Sequence, residues 1–341
     1  MTTDIEKDTG MSVSLNRRGF VAMTAASTLA TPAIAQRARA LRFGSPMPTS
    51  TSYHHAMEIF AEEMGKLSGG KLKIELYPNA QLGGLKDMLT SVQLGTQSML
   101  ITVPAWYSSF VKQMDVFTLP FLVGSPEKLR SALEGSFGNK IEGHARDAGF
   151  QIVGYWLTGP RHMLNNVRPI KTVADMAGLK MRIISSQVYM AAFRSLGANP
   201  AALDYAEVYL ALQQKTVDGM DLGLPDVISG KFPEVVKYAT LTSHVIDFFA
   251  ASMNKALYDG MSAEEKGMIK QAMKTATDWQ WTQQMADIAA AEVKLKDVIQ
   301  IIHLTDAEKA EFAKATRPIY AQFEGTIGKD LIDEAIKALS A

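Results

Sequence analysis

The stretch AGLKMRIISSQVYMAAFRSLGANP, Ala177 to Pro200, sets a strand directly before a helix. Lys180 to Ile184 is a short apolar run of strand character that contains Arg182, and apolar residues recur at helical spacing from about Gln187 to Leu196. An arginine inside an apolar strand has two uses. It is the structural partner of a carboxylate elsewhere in the chain, or it is a rigid planar fork that meets a ligand carboxylate through two parallel hydrogen bonds. Spacing alone leaves both open.

The same switch between periods of two and 3.6 extends outward in both directions. Upstream, ALRFGS, KLKIELYP and SMLITVP read as strands, with Leu72, Ile74 and Leu76 on one face of the second. Helical spacing separates them from Tyr53 to Leu67 and from Leu85 to Leu94. Ser125 and Pro126 start a helix, because proline at the first helical position loses no needed hydrogen bond. The strand FQIVGYWL follows one helix later and ends near Leu157, and a Gly-Pro turn then leads to Arg161. Beyond it LKMRII, the helix from Gln187, a helix AEVYLALQQ and the strand GMDLGL form a second unit of the same kind. The class is α/β.

The last third changes character. Ser262 and Glu265 have the spacing of a capping box, and a helical pattern runs on to about Val298. At 1.5 Å per residue that helix is roughly 50 Å long, enough to span both units. Thr305 and Glu308 repeat the cap spacing before a final helical stretch to about Leu339. No flexible linker separates the units, so the chain is expected to cross between them on structured segments.

The 341 residues are 47% hydrophobic, enough for a large core, and 35 basic residues balance 35 acidic ones. Such balance gives no electrostatic footprint for nucleic acid or an anionic membrane. Cysteine is absent, which excludes disulfides, thiolate nucleophiles and sulfur-ligated metals. The sequence contains no HExxH, GxSxG, Walker or GxGxxG pattern, so neither an enzyme nor a metal or cofactor is expected. His54 and His55 adjoin and point to different faces, which suits an ordinary helix start better than a metal; His54 or His55 lining a cleft is the alternative. Trp106, Tyr107 and Phe110 follow the strand-ending Pro104 and either line the mouth of a cleft or pack in the core.

The N-terminus LNRRGFVAMTAASTLATPAIAQ pairs Arg17 and Arg18 ahead of a mildly apolar run and a small-x-small site ending at Ala35. Residues 1–35 therefore read as a signal peptide of the twin-arginine type, with an ordinary Sec signal as the alternative. No later run reaches the roughly 18 to 20 apolar residues that span a bilayer. A periplasmic protein that is not membrane-embedded is expected.

Six ordered segments, YPNAQLGG from Tyr77, LPFLV from Leu119, GPRHMLNN from Gly159, PIKTVADMAGLKMR from Pro169, LGANPAALDYAEVYLALQQKTVDG from Leu196 and FPEVVKYATLTSH from Phe232, resemble one family. It is the solute-binding proteins of tripartite ATP-independent periplasmic (TRAP) transporters, of the DctP type. The resemblance implies a two-lobed clamshell, each lobe a β-sheet flanked by helices, with a long C-terminal helix spanning both. Lobe I takes residues 36–160 plus about 248–285, and lobe II 161–247 plus about 286–341. It implies further that Arg182 makes the bidentate contact to the carboxylate of a small organic anion and that Arg161 helps. Ser185 stands where a donor to the ligand is common, and Tyr205 where an aromatic packs on it. Asp221 and Leu222 lie where many members read Glu-Asn, so Leu222 replaces a polar contact with an apolar one. Together with Trp106 and His54 these are the candidate site residues. The implied partner is a TRAP membrane permease and the implied state a monomer. The arginine implies a carboxylate, and Leu222, Tyr205 and Trp106 leave room for an apolar portion; a short hydroxylated monocarboxylate is the favoured reading, with a dicarboxylate or an aromatic acid as alternatives. A periplasmic sensing subunit for the same anion is the alternative, and a twin-arginine-exported enzyme the rival from another class.

Overall fold

The strand and helix alternation folds into one mixed sheet. The computed structural model describes residues 38–340. In it β1 (Arg39–Gly44), β2 (Leu72–Tyr77) and β3 (Met99–Thr102) form one end, with β1 parallel to both neighbours. At the other end β5 (Lys180–Ile183) is parallel to β6 (Asn199–Ala202) and β7 (Gly219–Gly223). Between them run two long antiparallel strands, β4 (Phe150–Asn165) and β8 (Tyr238–Asn254), giving the order β2-β1-β3-β8-β4-β7-β5-β6, with β9 (Gln300–His303) beside β8. The chain thus passes between the ends inside the sheet, on 16 and 17 residues of strand, and no loop linker is needed.

Helices cover the faces. At the first end lie α1 (Ser52–Leu67), α2 (Leu85–Leu94), α3 (Pro104–Tyr107), α4 (Pro126–Leu133) and α5 (Ser136–Asp147). The Ser125 hydroxyl accepts from the Lys128 amide, as its cap position requires, and Gly135 then divides into two what the sequence presented as one helix. At the second end lie α6 (Gln187–Ser195), α7 (Tyr205–Gln213) and α8 (Leu224–Ser229). After β8 come α9 (Lys255–Asp259) and α10 (Ala263–Leu295), the latter 33 residues long with the expected capping box of Ser262 and Glu265. The last helical stretch is four helices, α11 (Asp306–Thr316), α12 (Pro318–Gln322), α13 (Glu324–Ile327) and α14 (Lys329–Leu339), broken at Pro318 and Gly328.

One expectation is corrected where it matters most. Gly159-Pro160 is no turn out of a strand: β4 continues through both to Asn165. Gly159 takes φ +100° and the ladder with β8 shifts register between Leu157 and Gly159. Turn-forming residues here make a bulge, which bends a strand and accommodates a proline without ending the ladder, Pro160 still standing opposite Ile246. β6, β8 and β9 were not legible in sequence. In β8 the buried polar residues Thr240, Thr242, His244 and Asp247 interrupt the apolar pattern.

The bulge leaves backbone groups unpaired, and α10 supplies their partners. The buried Gln280 side chain accepts from the Leu157 amide at 2.9 Å and donates to the Leu157 carbonyl at 2.8 Å. One turn on, Gln284 donates to the Thr158 carbonyl at 2.8 Å. Trp281 and Trp156 tie the same surfaces through Tyr155 O and Thr277 Oγ1. Replacing Gln280 by leucine strands two buried backbone groups, so Gln280→Leu is expected to lower stability by roughly 2 to 5 kcal/mol, read as the shift of the urea midpoint. A midpoint within error of wild type would show that the ladder break is satisfied in another way.

Candidate functional site

Arg182 sits on β5 beside Met220 of β7, and pleat alternation puts Met220 and Leu222 on its face of the sheet. Asp221 points to the other face, where Arg161 of β4 meets it. The two arginines accordingly have different surroundings. Arg161 Nε donates to Asp221 Oδ2 at 2.6 Å and Nη2 to the Asp221 carbonyl at 2.8 Å, while Nη1 is 3.5 Å from Asp247 Oδ2. Its guanidinium also lies over the Tyr189 ring, 5.8 Å from the centroid. Burial works against its charge, but Asp221 outweighs burial and holds the group well above its ordinary range. His244 Nε2 is 3.4 Å from the same Asp221 oxygen.

Arg182 is buried, 2% exposed, and among the described residues no carboxylate pairs with it. Nε and Nη2 both donate to the Leu203 carbonyl, at 3.0 and 2.8 Å, which fixes the plane of the guanidinium from its strand side. Burial pushes it down to about 10, so it stays charged at neutral pH. Buried polar atoms without a hydrogen-bond partner lie in its electrostatic neighbourhood: the hydroxyls of Tyr189 and Tyr205, and Asp221 Oδ1. Native interiors rarely leave such atoms unsatisfied, and a polar ligand is one way to complete them. The structural ion-pair use open to both arginines in sequence is thus realised by Arg161.

Of the other candidates, Tyr205 opens α7, packs edge-on against Phe232 and lies within the electrostatic reach of Arg182. Leu222 shares the Arg182 face and is buried in the apolar cluster with Val208 and Leu212. Ser185 is exposed; its neighbour Ser186 is the buried one, capping α6 and donating to Asp115 at 3.0 Å. Trp106 is buried in the main core with Tyr107, whose ring meets Phe150 edge-on, as does that of Phe110. His54 lies on α1 with Nε2 3.4 Å from Glu58 and is pushed down by burial. Neither is brought to Arg182 by any hydrogen bond among the described residues. No group of three or more His, Asp or Glu among them could hold a metal ion.

Sequence reasoning missed a second polar cluster. Tyr53 of α1 lies 3.3 Å from Asp226 of α8 and accepts from Gln284 of α10 at 3.0 Å, and the three line a cleft of about 320 Å³. Burial pushes Asp226 up to about 7 and Asp247 up to about 6. Asp247 carried the same signal as Arg182, a lone charge in the apolar run VIDFFA, whereas Asp226 follows a proline and looks like an ordinary helix start.

Comparison with known proteins fits this architecture. Residues 43–326 match the description bacterial extracellular solute-binding protein, family 7. The chain belongs to this family. Its members of the DctP type are the solute-binding proteins of TRAP transporters, and the two-lobed fold with one long helix across both lobes is theirs. The chain is 30% identical to the 2,3-diketo-L-gulonate-binding periplasmic protein of Escherichia coli, over 82% of this chain and 84% of that one. It is similar to a TRAP periplasmic solute-binding protein of Sulfurospirillum deleyianum with bound succinate, with TM-score 0.81, 32% identity and coverage of 88% and 99%. It is similar as well to one from Polaromonas bound to D-erythronate, with TM-score 0.84, 31% identity and coverage of 89% and 99%. No helix among the described residues is long and apolar enough to cross a membrane.

The raised carboxyls set a pH dependence. An acid whose folded pKa is raised holds its proton more tightly in the native state, so its contribution is full below the ordinary carboxylate range and fades as pH rises through the folded value. For Asp247 and Asp226 that fading runs through about 6 and about 7. His54 and His162, both pushed down by burial, add no slope above the ordinary histidine range. The melting temperature of the ligand-free protein is therefore expected to fall between about pH 6.5 and about pH 8, and Asp226→Asn to flatten the fall. A calorimetric series with equal slopes for the two proteins would remove Asp226 as the source.

Proposed function

We propose that this chain captures a small organic acid, a short hydroxylated monocarboxylate, in the cleft between its lobes and delivers it to a TRAP membrane permease. The observation that carries the proposal is the buried guanidinium of Arg182, fixed on a strand and paired with no carboxylate among the described residues. A buried charge of this kind is costly until an anion meets it, so an acid gains what the protein itself withholds. Arg161 is the helper, since its hydrogen bonds already belong to Asp221 and it acts on the acid through its charge. With one of two buried guanidinium groups so committed, a single carboxylate suits the site better than two. Tyr205 and Leu222 offer the remainder of the solute an aromatic and an apolar wall. The lobes divide within β4 and β8, with residues 36–160 and about 248–285 in one and 161–247 and about 286–341 in the other.

Isothermal titration of the mature protein with D-erythronate, 2,3-diketo-L-gulonate and succinate tests this. D-Erythronate is expected to bind and succinate to bind more weakly. Arg182→Ala should lose about 30-fold to several thousand-fold in affinity while keeping its fold, because truncating a buried charge-pair partner costs roughly 2 to 5 kcal/mol. Arg182→Lys should recover only part, an ammonium having no parallel pair of donors. Arg161→Ala should instead lower stability by roughly 3 to 5 kcal/mol, since it leaves Asp221 buried and unpaired. Wild-type affinity in folded Arg182→Ala would overturn the assignment.

The export signal read over residues 1–35 lies outside the described residues. Replacing Arg17 and Arg18 together by lysine is expected to stop periplasmic accumulation, with the mature chain beginning at Gln36. An unchanged yield of mature protein would identify the Sec route.

A further inference from the structure

The outermost strands of the sheet are β2 and β6, yet the helices that follow them touch. Asp204 is the N-cap of α7, after β6. Its Oδ1 faces the Ala206 amide at 3.4 Å, as a cap does, while Glu207 accepts from the Asp204 amide at 3.1 Å to close the capping box. Its Oδ2 accepts at 2.8 Å from the Leu85 amide, the first residue of α2 in the opposite lobe. An amide at that position has no acceptor within its own helix. Gly84 makes room: a Cβ there would stand 3.1 Å from Asp204 Oδ2. The residue preceding this carboxylate is Leu203, whose carbonyl receives both hydrogen bonds of Arg182. Ser186 repeats the arrangement after β5, capping α6 while donating to Asp115 at 3.0 Å.

We propose that Asp204 is a positioning residue, an interlobe latch that seats α7 of one lobe on the α2 N-terminus of the other and thereby holds the closed arrangement around Arg182. One carboxylate serves two helix N-termini, one in each lobe, and the favourable field of both backbones falls on the same group. The route from ligand to latch is one residue long. A carboxylate that draws on Arg182 acts on the guanidinium that anchors the Leu203 carbonyl, and Leu203 sets where Asp204 stands. Closure is then held partly by protein groups that never touch the solute, so losing the latch speeds release.

The latch itself needs no ligand to be tested; only its effect on release rests on the carboxylate function proposed above. Serine caps a helix as well as aspartate but is too short to reach Leu85, so Asp204→Ser separates latch from cap. Amide hydrogen exchange of the full mature protein is measured by NMR without ligand. The Leu85 amide is expected to exchange about tenfold faster in Asp204→Ser, with α7 amides unchanged. Gly84→Ala, which crowds the carboxylate from the other side, should act in the same direction, and Asp204→Asn, which keeps one acceptor oxygen, should fall between. With D-erythronate as probe, stopped-flow release should quicken in the same order. A Leu85 amide that exchanges at one rate in wild type and Asp204→Ser, fast or slow, overturns the latch. Failure of D-erythronate to bind counts against the carboxylate function and leaves the exchange result decisive for the latch.

Discussion

The structure depends on two strands that do not stop. β4 and β8 run through the middle of the sheet, with β3 and β9 on β8 and β7 on β4, and β1, β2, β5 and β6 follow outward from these. Strands of that length in one flat ladder would make a rigid plate. Instead the ladder breaks at Leu157 to Gly159, where β4 bends, and the free backbone groups are taken up by amide side chains one turn apart on α10. The long helix is therefore more than a strap. It satisfies hydrogen bonds that the sheet gives up in order to bend, and its position along β4 is set by Gln280 and Gln284.

The same sheet explains why two arginines that look alike in sequence do different work. Neighbouring residues of β7 point to opposite faces, so Asp221 can serve Arg161 while Met220 and Leu222 lie on the Arg182 face. A buried ion pair contributes little net stability but is costly to break, which suits a fixed feature. A buried, unpaired guanidinium is costly to keep, which suits a feature that waits for a partner. Arg182 is held by a carbonyl, which orients it without neutralising it.

The site is surrounded by groups that only the fold brings together. Tyr53, Asp226 and Gln284 come from α1, α8 and α10 and meet at the cleft, and Asp204 and Leu85 come from the helices after the two outermost strands. Ordinary caps and hydroxyls at helix ends make these contacts, and the Leu203 carbonyl that receives Arg182 is one residue from Asp204.

By itself the sequence determined the α/β alternation, because periods of two and 3.6 are local properties, and it marked helix starts at Ser125, Ser262 and Thr305 through side chains that cap their own backbone. It singled out Arg182, since a guanidinium in an apolar strand is conspicuous within a few residues. Only tertiary structure decided the rest. Gly159-Pro160 carries the local chemistry of a turn, and the ladder on both sides made it a bulge. β8 hid because its polar residues are satisfied by distant groups, as Thr240 is by the Ile170 carbonyl. Whether Arg161 or Arg182 held a protein carboxylate depended on the face of β7 that each one meets, and a face is defined by strand pairing across distant stretches of chain, which no local pattern encodes.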